Sequence, residues 1–168
     1  MQFDFKKNDR HYTVEYYLDQ IEDIFTRFNN PFLGSDIIAG FVGETDKDFE
    51  ITVENLKKSK LSQIHTFPYS IRKGTIAEKL SGHLPDKTKE ERAEIIKKIS
   101  AEKFQIFLES NVGSEQEVLI EKHLNKDGLY KGVTRNYINV LLKEADFNSL
   151  QKVILKEIQN DKILGEIL

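Results

Sequence analysis

Two glycine-punctuated stretches decide the fold: Ser35–Thr45 (SDIIAGFVGET) and Ile64–Thr75 (IHTFPYSIRKGT), separated by one amphipathic segment. Ile37 and Ile38 run into Ala39, Gly40 and Phe41, a short apolar run that fits a buried parallel strand. Gly40 and Gly43 bare the backbone where that strand stops, which lets a ligand approach the main chain closely. Thr45 reads as a helix N-cap, with Asp46 and Asp48 in the first turn complementing the helix dipole. Phe49, Val53 and Leu56 recur at i, i+4 and i+7, giving one apolar face to lie on a sheet. The run around Ile64–Phe67 is then a second strand, parallel to the first. Ligands on such sheets collect at strand carboxyl ends, here Gly40–Glu44 and Pro68–Thr75.

Further out, Thr13 caps a predicted helix whose apolar positions Val14, Tyr17, Leu18, Ile21, Ile24, Phe25 and Phe28 keep close to a 3.6-residue period, and Asn29–Pro31 end it. A charged helix is predicted from about Asp86 to Ser110. Its Lys and Glu positions fit a solvated outer face, and Ile95, Ile96, Ile99, Phe104 and Phe107 form a buried seam. From Asn111 the pattern turns to β-rich runs at Glu117–Glu121, Gly132–Leu142 and Lys152–Ile158, separated by turn signals at Asn125–Gly128 and Asp146–Ser149. This spacing predicts a small antiparallel barrel. The expected organisation is a βα portion over 1–110 and a β domain over 111–168.

The 168 residues carry 39% hydrophobic side chains, a net charge of −3 and no cysteine. That composition suits one moderate core or one core with an appendage. No apolar run approaches the roughly 20 residues of a membrane span, and the N-terminal QFDFKKNDR lacks the hydrophobic segment of a signal peptide, so the expected location is the cytoplasm. Net charge exerts no global pull on nucleic acid, and any RNA contact must come from a local patch. His65 is expected as a hydrogen-bonded core residue rather than a metal ligand, and His11, His83 and His123 are scattered, so no metal site is expected. Ser70 has no histidine and acid arranged around it as a nucleophile requires.

DIIAGFVGET, HTFPYSIRKGTIAEKL and KEERAEIIKKIS together resemble the closing third of the radical S-adenosylmethionine domain of tRNA methylthiotransferases. The chain is most similar to the branch acting on threonylcarbamoyladenosine beside the anticodon. The similarity begins near DRHYTVEYY and runs to the C-terminus, with the first two motifs specific. The resemblance implies an α/β fold made of the last βα units of a partial barrel, followed by a small antiparallel TRAM-like RNA-binding β-barrel. It also implies an enzyme that cleaves S-adenosylmethionine to a radical at one iron–sulfur cluster and draws sulfur from a second, converting the base to its 2-methylthio derivative. By position, Asp36, Ile38, Gly40 and Glu44 flank the adenosine part of the cofactor, and Phe67, Pro68, Tyr69 and Ser70 add contacts from the next strand. Arg72, Gly74 and Thr75 shape the mouth of the barrel, with Arg72 and Lys73 expected to bind the substrate. GVTRNYINVLL resembles the RNA-facing TRAM hairpin, which puts Lys131, Arg135, Asn136 and Tyr137 against tRNA.

The chain departs from that family in two respects. Val42 stands where the family usually has proline, loosening the turn. Both clusters need cysteine thiolates, and a cysteine-free chain ligates neither. With the preceding barrel strands missing before Gln2, the chain reads as the C-terminal portion of a longer enzyme, inactive alone, whether as an excised fragment, a proteolysis product or a split-gene product. Expected partners are tRNA, the missing cluster-binding portion and, through an exposed sheet edge, a second copy of the chain. The alternative is a stand-alone, non-catalytic nucleotide- or RNA-binding module. Residue by residue the alternatives stay open: Arg72 and Lys73 also suit a solvated turn, Glu44 a helix-start salt bridge, and Tyr137 either barrel core or a stacking platform.

Overall fold

The computed structural model describes residues 12–168; the QFDFKKNDR segment, the start of DRHYTVEYY and His11 lie outside the described residues. The chain divides into two compact units, meeting in sequence at Lys103 and Phe104.

In the first unit, α1 (Val14–Arg27) starts at Thr13, whose hydroxyl accepts the Tyr16 N–H. β1 (Gly34–Ala39) and β2 (Gln63–Pro68) pair in parallel, with α2 (Asp46–Lys58) as the crossover between them. α2 opens with a capping box: Thr45 Oγ1 accepts the Asp48 N–H and the Asp48 carboxylate accepts the Thr45 N–H. α3 (Asp86–Glu109) begins in this unit and ends in the second. Strand alternation sends Ala39 and Ile64 to one sheet face, where they are buried with Ile21, Phe49, Leu56, Ala93, Ile96 and Ile99. Ser100 of α3 ties in by accepting the Ile64 N–H at 2.8 Å.

Three sequence expectations are corrected here. His65 is exposed, because it alternates with buried Ile64 and falls on the opposite face of β2. Ile95 is exposed, since the stripe of α3 that meets the sheet runs through Ala93, Ile96 and Ile99. Ile24 and Phe28 are exposed too, Ile24 at the rim of the α1 stripe and Phe28 at the C-cap, where the chain turns extended.

The Lys103 ammonium caps α2 from outside, donating to the Lys57 carbonyl at 3.1 Å and the Ser59 carbonyl at 2.7 Å. Burial, helped by the neighbouring Lys60 charge, holds its pKa below the ordinary lysine value. A lowered pKa means the unfolded chain binds this proton more tightly. The group therefore opposes folding at neutral pH, and stability from it rises as pH climbs from the folded value to the ordinary one. In a ¹³Cε titration Lys103 is expected to have a midpoint below the ordinary lysine value; a midpoint at or above that value refutes the assignment.

The second unit is a closed five-stranded barrel of β3 (Glu115–Leu124), β4 (Tyr130–Thr134), β5 (Asn139–Leu142), β6 (Leu150–Gln159) and β7 (Lys162–Ile167), in the order β3-β4-β5-β7-β6. Val118, Ile120, Ile138, Val140, Leu142, Val153, Leu155 and Ile163 fill it. The strands are narrowly spaced at Gly132 and Gly165. A Cβ on Gly132 would lie 2.4 Å from Val118 Cγ1, and one on Gly165 would lie 2.4 Å from Val153 Cγ1. The expected wholly antiparallel barrel is corrected at one seam, because β5 and β7 pair in parallel through Val140↔Ile163 and Leu141↔Leu164. The predicted single run Gly132–Leu142 is two strands. Tyr137 turns the chain at a φ of +64° between them, and the Thr134 hydroxyl accepts the Ile138 N–H at 2.9 Å.

Candidate functional site

At the carboxyl end of β1 the backbone turns through Gly40 at a φ of +74° and Gly43 at +78°. A side chain at Gly40 meets two obstacles, the left-handed conformation and a Cβ position 2.4 Å from Lys89 Cγ. Glu44 closes the loop from inside. Its carboxylate accepts the Gly40 N–H at 3.2 and 3.3 Å, and the Arg92 guanidinium donates to Glu44 Oε1 and, at 3.2 Å, to the Glu44 carbonyl. Arg92 also donates to Asp46 Oδ1 at 2.6 Å and lies 5.1 Å from the Phe49 ring centroid. Glu44 is 7% and Arg92 5% exposed, so this is a buried charge pair joining the strand-end loop to α3.

The end of β2 meets the same loop. The Tyr69 N–H donates to the Ala39 carbonyl at 2.8 Å, and the Gly43 N–H to the Gly82 carbonyl at 2.9 Å. Tyr69 packs edge-on to Phe41, at 5.0 Å between ring centroids, and stacks at 6.2 Å with His83. Lys89 Nζ lies 5.9 Å from the Tyr69 ring centroid and 2.6 Å from Asp86 Oδ1. This ammonium holds the exposed Asp86 carboxyl below the usual carboxylate range, through its hydrogen bond first and its charge second.

The structure sorts the candidate residues into three places. Asp36, Ile38 and Glu44 line a cleft of about 180 Å³ together with Tyr12, Tyr17 and Phe49. Pro68, Tyr69 and Ser70 line a second groove, of about 340 Å³, with Asp86, Lys89 and Glu90. Ile38 and Phe67, register partners, also stand side by side on the sheet face away from the helices, 49% and 54% exposed, with Asp36 and His65 as the preceding pair on that face. Arg72 and Lys73 are exposed on the following loop, where the Arg72 carbonyl accepts the Thr75 hydroxyl at 2.8 Å. Val42, where the resemblance leads to the expectation of proline, is fully buried.

Sequence reasoning missed Lys89, placed with the other lysines of the helix on a solvated face, and Arg92, which it did not single out; both are buried. The signal was present in the spacing: the inward stripe Ala93, Ile96, Ile99 and Ser100, carried one turn towards the N-terminus, runs through positions 89 and 92.

On the barrel, Lys131 pairs with Glu121 at 2.6 Å and Arg135 with Glu117 at 2.7 Å, in each case a cation on β4 or its turn against a carboxylate on β3. Asn136 is turned inward, accepting from the Thr134 hydroxyl at 2.7 Å and donating to Asn111 Oδ1 at 3.0 Å. Tyr137, 70% exposed, is not part of the barrel core. Among the described residues no group of three or more His, Asp or Glu side chains is placed to hold a metal, and no helix is long and apolar enough to cross a membrane.

The architecture is thus a parallel βαβ unit with an open face and shaped strand ends, and a small closed barrel with mixed charges on its wall. No family model matches the chain. Its relatives are tRNA methylthiotransferases. It is 32% identical, over 97% of its length, to a tRNA-2-methylthio-N(6)-dimethylallyladenosine synthase of Caldicellulosiruptor saccharolyticus. It is 36% identical, over 87% of its length, to a threonylcarbamoyladenosine tRNA methylthiotransferase of Aquifex aeolicus. A dimethylallyladenosine synthase of Clostridium botulinum matches at 35% identity over 96% of the chain. The alignments take in 35%, 34% and 36% of these relatives, so the chain spans about a third of their length. Two kinds of modified adenosine stand in these names, and the threonylcarbamoyladenosine branch expected from the sequence is narrower than the similarities establish.

Proposed function

We propose that the chain is the C-terminal portion of a radical S-adenosylmethionine tRNA methylthiotransferase, acting in the cytoplasm on the modified adenosine beside the anticodon, with threonylcarbamoyladenosine as the substrate. The observation that carries this reading is the match to such enzymes over nearly the whole chain. In this reading the first unit is the end of a partial βα barrel. Asp36, Ile38, Gly40, Glu44, Phe67, Pro68, Tyr69 and Ser70 shape the adenosine side of S-adenosylmethionine, with Glu44 acting through the loop it holds. Arg72 and Lys73 guide RNA to the mouth. When bound, S-adenosylmethionine and the two iron–sulfur clusters supply radical and sulfur chemistry. This chain, with no cysteine, offers no thiolate to either cluster and depends on a cluster-binding partner portion. Among the described residues β1 has β2 as its single strand neighbour, which supports a missing strand at its other edge, or a second copy paired there. The absence of cysteine equally favours a second reading, a non-catalytic nucleotide- or RNA-binding module.

The barrel, residues 111–168, is the TRAM-like RNA grip, with Tyr137 as a base-stacking surface, Lys131 and Arg135 on phosphates, and Asn136 bracing the turn. The charges of both cations are offset by their ion pairs with Glu121 and Glu117. The chain is therefore expected to bind an anticodon stem–loop weakly. Glu117→Gln with Glu121→Gln is expected to tighten binding severalfold and steepen the log K against log salt slope by about 1 to 2. Fluorescence anisotropy across a salt series reads both quantities. Equal affinity for the stem–loop and a scrambled strand, together with no gain in the double variant, rejects the RNA-grip assignment.

A further inference from the structure

We infer that His65 contacts the ligand of the open sheet face, forming with Asp36 a polar pair that grips the vicinal hydroxyls of a nucleoside whose base lies over Ile38 and Phe67. This rests on the reading above that the face takes a nucleoside, and it adds the residue that reads the sugar. Alternation puts His65 opposite buried Ile64, and the parallel register pairs it with Asp36. Register partners on neighbouring parallel strands present their side chains on the same face, about 4.8 Å apart.

Two residues further along both strands, Ile38 and Phe67 form the next pair on that face, about half exposed. The face thus carries a carboxylate beside an imidazole and, about 6.6 Å nearer the strand carboxyl ends, an aliphatic side chain beside an aromatic ring. A nucleoside has the same polarity over a similar span, with a flat apolar base at one end and a pair of hydroxyls at the other. Asp36 accepts from one hydroxyl, as an acidic residue near a strand end does for ribose in dinucleotide folds. The imidazole, with one donor and one acceptor nitrogen, serves the second hydroxyl in either direction. A partner protein would find the wrong surface here, since a carboxylate and an imidazole would be desolvated beside only two apolar side chains.

The test titrates the chain with adenosine and with 2′,3′-dideoxyadenosine, following the Ile38 methyl, Phe67 ring and His65 ring signals by NMR. Adenosine is expected to move all three sets and to bind about tenfold more tightly than the dideoxy analogue. In His65→Ala that preference is expected to collapse, with base binding retained; because His65 is exposed, this variant folds. If adenosine moves Ile38 and Phe67 but His65→Ala keeps the full preference, the role of His65 is overturned and the nucleoside face stands. If millimolar adenosine moves none of these signals, both fall.

Discussion

Replacing Arg92 with alanine is expected to destabilise the βαβ unit by about 3–5 kcal/mol, because it removes the buried guanidinium that pairs with the buried Glu44 carboxylate. Three contacts vanish together: the guanidinium to Glu44 Oε1, to the Glu44 carbonyl at 3.2 Å and to Asp46 at 2.6 Å. At 7% exposure Glu44 is held out of water, on the inside of the loop whose Gly40 N–H it accepts. The midpoint in urea, followed by circular dichroism, should fall at unchanged m-value if stability alone is altered. Glu44→Gln combined with Arg92→Met should cost much less than Arg92→Ala alone, since glutamine still accepts from Gly40 and both charges of the pair are removed together. An Arg92→Ala midpoint shift worth less than about 1 kcal/mol would mean that water reaches Glu44 and the pair is not structural.

The second large effect is expected in the barrel. Gly132→Ala puts a methyl group 2.4 Å from Val118 Cγ1, 2.9 Å from the Leu119 carbonyl oxygen and 3.2 Å from Ile120 Cδ1. The valine can rotate away, but the carbonyl belongs to β3, which pairs with β4 through Leu119↔Val133 and Ile120↔Gly132, so relief there means distorting the ladder. Overpacking of this kind costs about 1–3 kcal/mol, at the upper end where backbone must move. For a domain of this size that corresponds to a Tm lower by roughly 10–20 °C. Adding Val118→Ala should restore only part of the loss, because it removes the side-chain clash and leaves the carbonyl. A single Gly132→Ala variant melting within about 2 °C of the parent, as read by calorimetry, would show that the strands separate more easily than their spacing implies.

The βαβ unit was legible because its signals are local. Thr45 and Asp48 cap α2, Gly40 ends β1, and the period of Phe49, Val53 and Leu56 declares the buried face. The site was half legible for the same reason. Glu44 stood out by its place after two glycines, but its partner Arg92 is 48 positions away and carries the charge that composition assigns to solvent. His65 was misjudged because a histidine among apolar residues suggests burial, whereas a strand with one free face exposes every second residue. In the barrel, the division of Gly132–Leu142 depends on Tyr137 adopting a conformation that its residue type disfavours. β7 escaped notice because KILGEI is short and glycine-interrupted, and its partner β5 is chosen by closure rather than by a hairpin turn.

The position of β7 governs the order in which the barrel is assembled during synthesis. It is the last barrel strand to be made, yet it lies between β5 and β6. Until it emerges from the ribosome, β6-β3-β4-β5 is an open sheet with two unpaired borders, the arrangement most prone to joining another chain. The β6–β7 hairpin pairs neighbouring sequence, whereas the β5–β7 seam at Val140↔Ile163 and the β3–β6 seam at Glu115↔Ile154 both join residues far apart along the chain. The barrel is therefore closed only when β7 joins β5, and its sheet is most open to joining another chain just before that strand docks.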